Sequence, residues 1–278
     1  MIGVRSSEMG ALLGFAERQL YVYRRYWVWE VVWLFYSIVS VLSIGFLASG
    51  LGSLGVAEGG AFDLRRAQLY LLIGALLWGY LSLVFMEAAY AIAWERWEGT
   101  IEYTFMAPVR RMTHLMGICL FAIVYGLVRT FIVLLVAMAI FDIDFSRADI
   151  AGALVVLAAS MAPLVGLAIL TSVLPLLSPQ KGEQMSFAFQ GFMLLVSGVY
   201  YPLSVLPWPL QAAGLVSPLT YSLAGMRNSL LDGATVGDQL STVGVLLVMG
   251  AALIPLGFGV FSWAERRAKR LGLLKRSG

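Results

Sequence analysis

Residues 68–93 read QLYLLIGALLWGYLSLVFMEAAYAIA, with Glu87 as their sole charged side chain. A helix needs about 20 apolar residues to cross the hydrocarbon of a bilayer, and this stretch supplies them without interruption. Working outward, comparable runs recur at 27–48, 116–141, 150–177, 185–200 and 243–263. Over the 278 residues, hydrophobic side chains make up 60% and charged ones 13%, and mean hydropathy is +0.85. A water-soluble domain of that size needs a far more polar exterior, so the chain reads as an all-α integral membrane protein with six transmembrane helices. One domain over 1–278 is expected: an N-terminal interfacial helix within 1–26, a six-span bundle over 27–263 and a basic tail over 264–278.

Orientation follows from Lys and Arg, which accumulate on the cytoplasmic side. With both termini inside, the inner segments carry Arg5, Arg18, Arg24, Arg25, Arg96, Arg110, Arg111, Lys181, Arg266, Arg267, Lys269, Arg270, Lys275 and Arg276. The outer segments carry Arg65, Arg66, Arg147 and Arg227. The expectation is therefore a multi-pass protein of the cytoplasmic (inner) membrane with both termini cytoplasmic. No cleavable signal peptide is evident before the first span. The basic tail reads as a topology anchor on anionic lipid and not as a nucleic-acid patch. Ahead of the first span, Glu17, Arg18, Tyr21, Arg24 and Arg25 fall on one helical face and Leu12, Phe15, Ala16, Leu20 and Tyr23 on the other, the pattern of a helix lying in the cytoplasmic interface.

Catalytic signatures are weak. Gly50, Gly52 and Gly55 match a dinucleotide fingerprint, but they follow a membrane span, where glycines simply make turns. There is no phosphate-binding GxxxxGK[ST] loop, and the lone His114 and Cys119 cannot build a metal site or a catalytic set.

The loop after the second span reads AWERWEGTIEYTFMAPVRR over 93–111. The helix runs out into water at Glu95, Arg96 and Glu98, and Gly99 permits a sharp turn. Thr100 can cap a short helix with Glu102 in its first turn, Pro108 ends it, and Arg110 and Arg111 pin the return at the lipid surface. Ile101 and Phe105, four apart, give that helix an apolar edge beside its acids, as a knob for another protein's cleft or as part of an ordinary ordered loop. Farther on, 201–231 is apolar but broken by Pro202, Pro207, Pro209 and Pro218. A re-entrant or interfacial helical hairpin accounts for it better than a span does. Charged residues inside spans are expensive and mark candidate functional positions, which makes Glu87 and Arg129 candidates for a translocation path, with Trp33 as a substrate-stacking candidate in a tryptophan belt.

The E-R-x-E-G-T-x-E loop ending at Ala107-Pro108, together with the G-x-Y-Y-P…L-P…P-L-T-Y segment over 198–221, resembles the ABC-2 type permeases, the membrane subunits of ABC exporters for drugs, glycolipids and polysaccharides. The resemblance covers the whole chain. It implies that Glu95, Glu98, Gly99, Thr100, Ile101, Glu102, Phe105 and Pro108 form a coupling helix that meets an ATPase subunit. It places an outer re-entrant hairpin at 201–218, carried by Gly198, Tyr201, Pro202, Leu206, Pro207 and Pro218. It further implies ABC ATPase subunits as partners, which would bind ATP and Mg, and a second permease subunit, identical or related. No cofactor is expected in this chain, nor any catalytic residue. The sequence thus reads as the permease of an exporter moving an amphipathic drug, lipid or lipid-linked glycan. The rival readings are an ion-driven transporter or channel, and a membrane assembly factor on the same scaffold.

Overall fold

The computed structural model describes residues 8–53, 64–107, 109–141, 143, 146, 148–178 and 180–273. Ten α-helices follow one another among these residues: α1 (Glu8–Arg25), α2 (Trp27–Ser53), α3 (Leu64–Glu98), α4 (Ile101–Met106), α5 (Arg111–Ile140), α6 (Ile150–Leu177), α7 (Gly182–Val196), α8 (Trp208–Val216), α9 (Pro218–Asp232) and α10 (Leu240–Arg270). Five of them, α2, α3, α5, α6 and α10, are long and apolar enough to cross a membrane.

The fifth expected span, 185–200, differs from the expectation. It is α7, which has 15 residues, and at about 1.5 Å per residue it is shorter than the roughly 30 Å hydrocarbon layer. The apolar run continues, but Gly198 takes φ +70° and turns the chain out of the helix.

Helices α2, α3, α5, α6, α7 and α10 alternate in direction, so the bundle has two ends. One, the loop end, carries α4, the end of α3, the start of α5 and the ends of α6 and α10. The other, the hairpin end, carries α8, the ends of α5 and α7 and the starts of α3, α6 and α10. α6 lies at the centre, packed by α3, α9 and α10. The main buried cluster gathers Phe85, Ile92, Leu115, Ile169, Leu176 and Phe261 from α3, α5, α6 and α10.

Between α6 and α10 the backbones approach closely. A methyl group added at Gly250 would lie 2.6 Å from Ala162 Cβ, and one at Gly166 would lie 2.7 Å from the Leu253 carbonyl carbon. Small residues let helices meet in an apolar solvent, where burial of apolar side chains from lipid brings nothing.

The first helix departs from expectation. α1 runs beside α5 in the same direction: Glu8 accepts from Thr113, Phe15 sits edge-on to His114 at 4.6 Å, and Tyr23 meets the rings of Phe121 and Tyr125 at 4.8 Å. Its faces are also rotated from the expected ones. Arg18 turns inward, whereas Leu20 is 56% exposed. The cause is Glu95, a buried carboxylate that draws the guanidinium toward it.

Candidate functional site

At the loop end, α3 runs to Glu98 and reverses at Gly99, whose φ of +73° only glycine adopts at no steric cost. α4 follows at once. Thr100 does not cap it with its side chain: its carbonyl accepts from Thr104 N at 3.0 Å, and its hydroxyl accepts from Arg18 at 3.4 Å. Ile101 is fully buried in the main cluster, so it is not part of an outward apolar edge as the helical spacing suggested. The side chain of Phe105 and the whole of Pro108 lie outside the described residues.

Glu95 is the hub of this end. It is 2% exposed, and its Oε1 accepts from Arg18 at 2.9 Å and from the Thr104 hydroxyl at 2.9 Å, while His114 Nε2 stands 3.1 Å away, also 2% exposed. Arg18 further reaches Glu98 at 3.6 Å, and Arg111 donates to the Thr104 carbonyl. One carboxylate thus ties α1 and α4 to the end of α3, and Arg111 ties α4 to α5. Adjacent Arg96 points the other way and donates to the carbonyls of Pro175, Leu176 and Leu273.

Held this way, α4 keeps Ile101 and Thr104 inside and turns Glu102, Tyr103 and Met106 out, the last two 77% and 80% exposed. The pattern of apolar residues could not have revealed this. Helical phase puts Ile101 and Phe105 on one face but does not say whether that face meets the bundle or the water; the inward Thr104 hydroxyl, bonded to Glu95, fixes the phase.

At the hairpin end, Tyr201 donates to the Leu195 carbonyl at 2.7 Å and folds the chain back over α7. Pro202 precedes a single 3-10 turn at Leu203–Val205, and Gln211 donates to the Leu206 carbonyl at 2.6 Å. Pro207 leads into α8 and Pro218 opens α9, each proline at a helix start, where its missing N–H costs nothing. Pro218 therefore begins the second arm, which runs on to Asp232 beyond the expected limit of the hairpin. Leu203 packs on Gly198 and Gly214, and the buried hydroxyls of Ser197 and Ser217 meet at 2.9 Å.

Arg227, expected among the outer-loop residues, is instead buried in the bundle. It donates to Gly198 O at 2.9 Å, Tyr70 O at 3.3 Å and Val199 O, and its guanidinium lies 3.5 Å from the centre of the Tyr70 ring.

The translocation-path candidates are only partly brought together. Arg129 donates to the Trp33 carbonyl at 2.6 Å and to the Ser37 hydroxyl. Trp33 itself is 51% exposed. Glu87 lies apart from both and accepts from Tyr23 and from Gln19, the latter at 3.5 Å. Glu30 accepts from Tyr125. These bonds join α1 and α2 to α3 and α5 along much of their length.

A bundle of long apolar helices with a short helix held at one end and a helical hairpin at the other is a multi-pass membrane protein. The family model for ABC-2 type transporters matches residues 12–231, and the chain belongs to that family. It is accordingly a membrane transport permease, a transport component. No curated protein matches the chain.

Proposed function

We propose that this chain is the permease half of an ATP-driven exporter. The observation that carries the reading is α4: Glu95 holds its Thr104 hydroxyl and Arg111 its Thr104 carbonyl, while Glu102, Tyr103 and Met106 face outward with none of the described residues over them. A rigid short helix with an apolar and acidic outer surface fits a cleft in a partner. In this reading the partner is an ABC ATPase, which holds ATP and Mg, and α4 receives its movement. The loop end then faces the cytoplasm, as the Lys and Arg bias requires, with both termini inside the cytoplasmic membrane.

An even number of spans needs α7 as the sixth. α7 is completed at its outer end by α8 and α9, which enter the membrane from outside as a re-entrant hairpin; irregular backbone at that depth is shielded by the surrounding helices. Two permease subunits, identical or related, form the pathway with two ATPases. The apolar interior suits an amphipathic drug, lipid or lipid-linked glycan. Trp33, Glu87 and Arg129 are proposed to face that pathway or the subunit seam.

The test is co-purification with candidate ABC ATPases. Met106→Asp should reduce ATPase capture at least about tenfold, because a central desolvated anchor in such a contact is worth on the order of 2 kcal/mol. Glu102→Lys should weaken capture less. Neither variant should change membrane insertion, since both side chains point away from the bundle. Wild-type capture by both variants would remove α4 from the coupling role.

A further inference from the structure

Two buried arginines hold backbone carbonyls and no carboxylate. Arg96, on α3, is 2% exposed, and Arg227, on α9, is 6% exposed. Among the described residues neither forms an ion pair, and the Nε of each is buried without a hydrogen-bond partner. A guanidinium taken out of water is costly, and no opposite charge offsets the cost here. What each arginine gains is backbone oxygen at a helix end, where carbonyls lack intrahelical partners and the helix dipole is negative.

The positions of those oxygens give the pair a meaning. Arg96 donates to Pro175 and Leu176, in the last turn of α6. That same turn seats the first residue of α7: Gly182 packs so tightly on the backbone of Leu174 and Pro175 that no side chain would fit. Arg227 donates to Gly198 and Val199, which directly follow the last turn of α7. One arginine comes from the helix that leads into α4, the other from the second arm of the hairpin. α7 lies between the two clamps. It is also loosely enclosed, with Met185, Phe187, Phe192 and Leu195 all exposed.

We propose that Arg96 and Arg227 are positioning residues, Arg96 holding the α6 turn on which α7 starts and Arg227 the residues that follow its end, so that α7 passes displacement of the α3–α4 end to the outer hairpin. The direction of drive rests on the exporter reading above. The mechanical link belongs to the chain alone.

Coupling between two sites is reciprocal, and this gives a test that needs neither substrate nor ATPase. Hydrogen exchange is followed on the full chain in lipid nanodiscs for the wild type, Arg96→Lys and Arg227→Lys. Lysine keeps the charge but loses the planar fork that spans several carbonyls. With the link in place, Arg96→Lys raises exchange about fivefold at 198–206, at the far end of α7, and Arg227→Lys does the same at 174–178. A side chain with a merely local structural role raises exchange only at its own end. If each variant acts only locally, the proposal is overturned. If Arg96→Lys does not insert, the effect of Arg227→Lys on 174–178 decides alone. Capture of an ABC ATPase by the wild-type chain, scored separately, tells failure of the exporter reading from failure of the link.

Discussion

The α6–α10 seam and the α1–α2 arm are both helix pairings of the same bundle, yet they are held by opposite means. The seam has almost no polar chemistry: Gly166, Gly250 and Gly257 bring two backbones together, and the gain is dispersion over a long close contact. The arm is a ladder of polar rungs. Arg18 meets Glu95, Tyr23 and Gln19 meet Glu87, Tyr125 meets Glu30, Arg129 meets Ser37, and Gln68 donates to Ser49 at 2.9 Å. Close packing is lost along its whole length together, because a seam opened by about an ångström already forfeits up to about half of its dispersion attraction. A ladder can be released one rung at a time. In a transport cycle the seam suits the part that stays and the arm suits the part that moves.

The contrast breaks first if the seam tolerates bulk. Gly166→Val sets a branched side chain against the Leu253 backbone, which cannot move aside as a side-chain tip could. The expected cost is about 3 kcal/mol or more, seen as loss of monodisperse protein by size-exclusion chromatography. An unchanged profile would mean that the seam is not tight. A middle-sized effect is expected at the hub of the ladder. Glu95→Ala takes the acceptor from the Thr104 hydroxyl and the closest partner from Arg18, which keeps Thr100 and Glu98. Because Arg18 is itself partly exposed, the loss should be about 2 kcal/mol, with raised hydrogen exchange across α1 and little change in α10. The smallest effect belongs to a single rung. Tyr23→Phe keeps both ring contacts and removes one bond to Glu87, at about 0.6 kcal/mol, read as a slight fall in melting temperature. A fall as large as that of Glu95→Ala would show that the rungs act as one unit.

These residues also show how far the sequence could be read. The long spans were plain, because an apolar run of twenty residues has few other uses. The turn at Gly99 was legible from local chemistry alone; the break at Gly198 was not, because the apolar run continues through it to 200, and the prolines read as breaks where they in fact start helices. The phase of α4 and α1 was not. Whether Ile101 or Tyr103 faces water, and whether Arg18 or Leu20 faces the bundle, depends on Glu95, a residue far from α1 in sequence. Arg96 and Arg227 looked like topology charges, since nothing in a one-dimensional pattern separates an arginine in water from one wrapped in carbonyls.

On the exporter reading, an ATPase drives this permease at the loop end, through α4. This coupling is tested most directly by a photo-crosslinking amino acid at position 103, where the tyrosine is 77% exposed, with a control at position 208, where the tryptophan is 78% exposed at the opposite end. In membranes that contain the co-purifying ABC ATPase, position 103 is expected to give an ATPase adduct and position 208 none. Adducts at 208 but not at 103, or failure of any ABC ATPase to co-purify with the chain, would contradict the account.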